Sequence, residues 1–300
     1  MKFGVHTGLQ NTSIDELRPL WRQIERLGFE WISIWDHFYA ADASGSPVCL
    51  EAVAAHAALI EATTRVQCGS LVYSVGYRHP AILANAMATL DQMADGRVVL
   101  GLGAGWAQIE YDAYGIPFPP APVRLRQLDE GIQCVRGLLT QDVTDFHGEF
   151  FTLEAARCEP KPVRERLPIW IGGGGEKVTL RIAAQHADGW NVPFISPSDY
   201  ERKVSMLGEH CARAERDPSS ITKAVNVGLA YSEDDLDAQF GGGMSAYVRP
   251  GVLMGSTQEM IDQIGAYGDA GAEWVIIARR APFDADSIDR FAADVLPAFG

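Results

Sequence analysis

Three stretches of this chain carry residues able to do chemistry. Asp36-His37 follows the run Trp31 to Trp35, where an apolar strand should end. A histidine at such a tip exchanges a proton near neutral pH or hydrogen-bonds a bound ring. The plain alternative is a structural histidine bonded to backbone. Gly101-Leu102-Gly103-Ala104-Gly105-Trp106 closes a second apolar run. Without side chains, the backbone at Gly103, Ala104 and Gly105 lets a flat or phosphorylated ligand approach. The stretch is an incomplete dinucleotide fingerprint, because Trp106 stands where the third glycine is required. Trp106 either lies against a planar ring or plugs the core. Gly172-Gly173-Gly174-Gly175 precedes a helical pattern. Consecutive N–H groups at a helix start cradle a phosphate. A tight turn needing positive φ is the alternative, and the phosphate reading is preferred. No Gly-Lys-Ser/Thr follows, so this is not a P-loop.

Other chemistries lack their signatures. No His-x-x-x-His or Cys-x-x-Cys pair occurs, so no metal site is expected. Ser70 has no nucleophile-elbow context. Few acid–base groups beside glycine-rich tips suit an organic cofactor that carries the reaction itself. The net charge of −14 disfavours nucleic acid and anionic membranes as partners. Five scattered cysteines fit reduced thiols in a cytoplasmic protein. No apolar run is long enough to span a bilayer.

The elements that must hold these tips repeat one plan. Apolar strands are predicted over 3–9, 30–35, 66–73, 98–102, 169–171, 189–192, 221–231 and 274–278. Helical patterns follow each of them. Ser13 with Glu16 forms a capping box, Pro80 suits a first helical turn, and Thr257 is a candidate cap. His79 is another candidate helix cap. A short helix is expected over 108–114, a hairpin turning near Gly148, and a helix over 198–216. Eight strand–helix units in 300 residues predict an α/β (β/α)8 TIM barrel rather than a doubly wound sheet. One domain, 1–300, carries insertions around 140–168 and 233–255. The glycine-rich piece Phe240-Gly241-Gly242-Gly243-Met244 reads as a mobile segment over the barrel mouth. Asp36 and His37, as neighbours on a strand, are expected to point to opposite faces, with His37 inward.

Taken in order, several pieces resemble the luciferase-like monooxygenase superfamily. They are Trp35-Asp36-His37-Phe38, Tyr77-Arg78-His79-Pro80, Thr89-Leu90-Asp91 through Gly96-Arg97, and Gly101 to Trp106 with Glu110-Tyr111 and Tyr114-Gly115. Pro160-Lys161-Pro162, Pro168 through Lys177, and Ala187-Asp188-Gly189-Trp190-Asn191 complete the set. Within the superfamily the match is to the group dependent on the deazaflavin coenzyme F420. The resemblance implies a TIM barrel with the cofactor at the C-terminal mouth and His37 and Trp106 at the reacting centre. It implies a non-prolyl cis peptide at Ser70-Leu71 behind the ring. It puts Gly103, Ala104 and Gly105 near the cofactor and its phosphate on Gly172, Gly173 and Gly174; Asp36 beside His37 and Gly175 in the same glycine run are further cofactor-contact candidates from their position. A homodimer through barrel helices, including residues 83–93, is also implied. Sugar-phosphate dehydrogenases of the group carry a proton-donating glutamate where this chain has Trp106, which argues against that chemistry here.

The reading is an F420-dependent oxidoreductase moving a hydride to or from a small organic substrate. The first alternative is a reduced-FMN monooxygenase using O2, with a flavin reductase as partner. The second is a barrel that binds a phosphorylated ligand without redox chemistry.

Overall fold

In the computed structural model, which describes residues 1–41, 46–241 and 243–300, eight parallel strands close into a barrel. They are Lys2–Thr7 (β1), Trp31–Ile34 (β2), Gln67–Ser70 (β3), Val98–Gly103 (β4), Ile169–Gly172 (β5), Gly189–Pro193 (β6), Thr222–Leu229 (β7) and Trp274–Arg279 (β8). Each pairs with the next, and β8 returns to β1 with Lys2 opposite Trp274. The expected barrel is therefore observed. Helices wrap it from outside, and their start signals behave as their chemistry dictates. Ser13 Oγ accepts the Glu16 N–H while Glu16 accepts the Ser13 N–H, which closes the capping box at Ile14–Arg26. His79 Nδ1 caps Pro80–Met93 by accepting from Ala81. The helix Gln108–Tyr114 and a hairpin of Thr144–His147 with Thr152–Ala156 also match expectation. Among the described residues no helix is long and apolar enough to cross a membrane.

Several expectations shift. Ser256, not Thr257, caps Thr257–Asp269, because its hydroxyl reaches Glu259 N–H. The helix expected over 198–216 is Pro197–Arg213, capped by Ser196. The glycine-rich piece near 240 lies between two helices, Glu233–Phe240 and Met244–Val248, with Gly241 and Gly243 at their ends and Gly242 outside the described residues. The strand expected over 66–73 stops at Ser70 and resumes as Tyr73–Ser74, which pairs with Leu102 and Gly103 of β4.

Closure leaves an interior to fill, and tryptophan fills it. Trp31, Trp170 and Trp274 point inward with Val99, Ala224 and Ile276. Trp31 and Trp170 stack at 4.6 Å and 19°, and Trp274 lies 5.9 Å from Trp31. Indoles this large fit because facing positions have no side chain. A Cβ on Gly69 would lie 2.1 Å from Trp31, and one on Gly189 would lie 2.5 Å from Trp170. The opposite face of each strand packs on helices through residues such as Val5, Ile32, Leu100 and Val225. This is the alternation of a barrel strand covered on both faces.

These contacts make a stability prediction. Gly69→Ala overpacks the Trp31 site and should cost about 1–3 kcal/mol in urea unfolding. Gly208→Ala, in Pro197–Arg213 with open space around its Cβ, should instead stabilise by about 0.5–1 kcal/mol. Equal effects at the two sites would contradict the packing described.

Candidate active site

Above the tryptophan layer, the C-terminal strand ends enclose a cavity of about 640 Å³. His37, Trp106, Asp36, Leu71, Gly103, Ala104, Gly105, Gly172 and Gly173 all line it. Ser70, Gly174 and Gly175 are not among its lining residues.

His37 is held by a carboxylate. Its Nδ1 lies 3.0 and 3.2 Å from the two oxygens of Glu110, which is only 2% exposed. Glu110 also accepts from the Tyr77 hydroxyl and the Tyr39 N–H. Burial pushes the Glu110 carboxyl up, but the bonds from His37, Tyr77 and Tyr39 hold it below the usual range. An ionised Glu110 fixes the proton on Nδ1, so Nε2 is the ring nitrogen left without a protein partner among the described residues. Trp35 and Trp106 meet the imidazole edge-on, at 5.6 Å and 90° and at 5.2 Å and 68°. Trp106 is 63% exposed, so the core-plug alternative is wrong.

Asp36 does not turn away from the mouth as strand alternation suggested. The backbone has left β2 by then, and both Asp36 and His37 reach the cavity wall. Asp36 Oδ2 accepts from Arg78 at 2.7 Å and from the Ser74 N–H at 3.1 Å. Its Oδ1 is buried with no hydrogen-bond partner among the described residues. Burial raises the Asp36 pKa, against the pull of Arg78 and the Ser74 bond. Arg78 also grips Glu51, whose side chain caps Ala52–Ala62.

The cis peptide is Leu71–Val72, one residue beyond the expected Ser70-Leu71. Ser70 serves a different purpose. Its hydroxyl donates to Gly101 O and accepts from Gly101 N–H, joining β3 to β4 where the ladder is interrupted. Val72 then projects into the mouth. A Cβ on Gly103 or Gly172 would lie 2.6 Å from its methyls. Those two glycines are thus required by Val72, and Gly105 by its φ of +76° and by Tyr111.

The Gly172–Gly175 run is also partly committed. The Gly173 N–H donates to Asn191 O, and Gly174 O accepts from Lys203 Nζ. A turn at 176–178 separates the run from the helix Thr179–His186, so these glycines do not form its first turn. Gly173, at φ +124°, is the one with space beside it, and Thr179 lines the cavity next to it.

Sequence reasoning missed the cavity floor. His6 Nδ1 pairs with Ser33 Oγ at 2.8 Å, and Asn191 Nδ2 donates to Asn226 Oδ1 at 2.9 Å. All but Ser33 line the cavity. Their signal was period-2 alternation, since Gly4 and His6 share the inner face of β1, as Ala224 and Asn226 share that of β7. Burial, with Arg280 and His37 nearby, lowers the His6 pKa to about 3. Burial lowers buried His56 to about 4, against its bond to Cys68 O. Glu110 stood in a quoted motif without a role; only the fold brings it to His37.

Comparison with known proteins agrees with this architecture. The luciferase-like monooxygenase family model matches residues 1–249. The F420-dependent glucose-6-phosphate dehydrogenase of Intrasporangium calvum is 27% identical, with 91% of each chain covered. The enzyme of the same name from Rhodococcus erythropolis is 30% identical over 78% of this chain and 70% of its own. A solved F420-dependent secondary alcohol dehydrogenase, in complex with an F420–acetone adduct, superposes with a TM-score of 0.88 at 22% identity. It covers 100% of this chain and 99% of its own. At that identity the likeness bears on the fold.

The buried histidines carry a pH dependence. His6 and His56 stay neutral in the folded protein at pH values where unfolded histidine binds a proton. The stability they allow is complete above about pH 6.5 and is lost as pH falls toward their folded values. His6→Asn should therefore shrink the loss of unfolding free energy between pH 7 and pH 5 by about 2 kcal/mol. Denaturant unfolding at both pH values measures this, and an unchanged difference would refute it.

Proposed function

The chain belongs to the luciferase-like monooxygenase family, and on that premise we propose that it is an F420-dependent oxidoreductase acting on a small organic substrate. The observation that carries the reading is the His37–Glu110 pair at a mouth that the Leu71–Val72 step and the glycine tips also line. The residues present fit a flat cofactor with a phosphorylated tail. Asp36 Oδ1 is a buried acceptor that a ligand N–H or O–H would satisfy. Val72 offers an apolar face, and Gly173 with Thr179 leaves open, polar space for a phosphate.

Bound there, the deazaflavin would supply hydride transfer at ring carbon 5. The protein's part is positional and acid–base. Glu110 sets the tautomer and rotation of His37, and Trp35 and Trp106 confine its plane. Nε2 then faces the cavity to accept a proton when neutral, or to donate one as the imidazolium. Asp36, locked by Arg78, would orient the bound ring.

Titration of the protein with F420 and with FMN, read by calorimetry, tests the cofactor. F420 should bind more tightly by about tenfold or more, equivalent to 1.4 kcal/mol; tighter FMN binding would favour the monooxygenase alternative. His37→Ala should leave folding and F420 affinity nearly intact and lower turnover about 10²-fold. Glu110→Gln should reproduce part of that loss. Turnover of His37→Ala within a factor of about two of wild type would make His37 structural.

A further inference from the structure

The cavity floor holds hydrogen-bonding capacity that the protein does not use. Asn191 Nδ2 donates to Asn226 Oδ1 at 2.9 Å. That single bond leaves the Asn191 oxygen and the Asn226 NH2 group with no protein partner among the described residues. Turning both amides round exchanges the two roles and still leaves one oxygen and one NH2. The residues are only 3% and 4% exposed. Neither free atom is sealed, however, in contrast to Asp36 Oδ1. They open into the cavity that both residues line.

His6 adds a third position from β1. Its Nδ1 is taken by Ser33 Oγ, and its Nε2 has no protein partner among the described residues. Burial keeps the imidazole neutral. The Ser33 hydroxyl can donate or accept, so Nε2 serves either as an acceptor or as an N–H donor.

The neighbours of these groups leave them open. Ala278 of β8 pairs with His6, and Gly172 of β5 pairs with Asn191. Neither has a side chain long enough to cover a polar atom. Beneath lies the apolar layer of Trp31, Trp170 and Trp274. Polar side chains set on a packed indole layer cost stability unless something bonds to them. Apolar residues at the same positions would simply extend the core. The floor groups are uncharged, and the charged lining groups Asp36, Arg279 and Arg280 occupy other positions on the wall.

We propose that His6, Asn191 and Asn226 form a recognition site for an uncharged group that both donates and accepts hydrogen bonds, of the carboxamide or imide kind. A carboxamide would satisfy the asparagine pair. An imide edge, acceptor–donor–acceptor, would satisfy the pair and His6 Nε2–H together. The pyrimidinedione ring of a deazaflavin carries such an edge, and a substrate amide is the other source. The proposal goes beyond the F420-dependent reading and does not require it.

The side-chain amide signals of Asn191 and Asn226, followed by NMR on the full chain, test the site. The single variants Asn191→Leu and Asn226→Leu assign them. Benzamide at millimolar concentration should shift both signals. Benzoate, which only accepts, and toluene, which does neither, should not. F420 then separates the sources. If the cofactor supplies the group, F420 alone should shift both signals and block benzamide. If the substrate supplies it, F420 should leave the signals in place, and benzamide should still shift them in the loaded protein. In either case the responding ligand should bind about tenfold or more weakly to the double variant Asn191→Leu/Asn226→Leu. Replacing both partners by apolar side chains of similar size leaves no orphaned group, so this variant should fold, which thermal unfolding checks. Signals unmoved by both benzamide and F420, an equal response to benzoate or toluene, or unchanged affinity in the double variant overturns the proposal. Failure of F420 to bind overturns the cofactor reading instead, and benzamide then decides the floor by itself.

Discussion

A closed eight-stranded barrel must fill its own interior, and here three indoles do so. Trp31, Trp170 and Trp274 occupy the lower barrel, and Trp31 and Trp170 fit because Gly4, Gly69 and Gly189 lack side chains against them. This constraint divides the molecule. Below the indoles the barrel is dry core. Above them the strand tips leave a cavity open. Its floor is the first polar layer met above the indoles, made by His6 with Ser33 and by Asn191 with Asn226.

The mouth is organised by two carboxylates and one dipeptide. Tyr77 donates to Glu110, and Arg78 donates to Asp36, so adjacent residues clamp both acids. Each acid then does a separate task. Glu110 orients His37, and Asp36 keeps one oxygen bonded and one buried without a hydrogen-bond partner among the described residues. Arg78 reaches on to Glu51 and ties the β2 tip to the start of Ala52–Ala62. Loss of Arg78 would therefore loosen a barrel strand and a helix as well as Asp36. The site is held by secondary-structure ends rather than by long loops, which suits a preorganised geometry.

Much of this was legible in the chain. Apolar runs with period-2 or 3.6 spacing located eight strands and their helices, because burial on both strand faces leaves a strong pattern. The capping box at Ser13 and the hairpin near Gly148 were readable from local chemistry alone. The glycines were harder. Gly103 and Gly172 invite a ligand reading, yet Val72 requires them from across the barrel. The place of the cis peptide was off by one residue, since nothing local distinguishes Ser70-Leu71 from Leu71–Val72. Several quoted motif residues turned out to hold strands together. Asp91 accepts from Val98 and Val163 N–H groups, and Asp188 from Ile169 N–H with Arg136 and Arg166. Glu110 was invisible as a site residue because its partner lies 73 positions away.

Trp106 stands on the cavity wall between His37 and solvent. One edge of its indole confines His37, and the rest stands open to solvent. Exposing that much apolar surface is unfavourable, so the free protein gains nothing by it. The arrangement makes physical sense if a ligand covers the indole and removes it from water as it settles beside His37. An acid at the same point would instead favour a polar partner and would compete with Glu110 for the imidazole. With Trp106 in place, His37 has one carboxylate partner and an apolar neighbour. The same side chain thus sets both the electrostatics of the proton-handling group and the polarity of whatever reaches it.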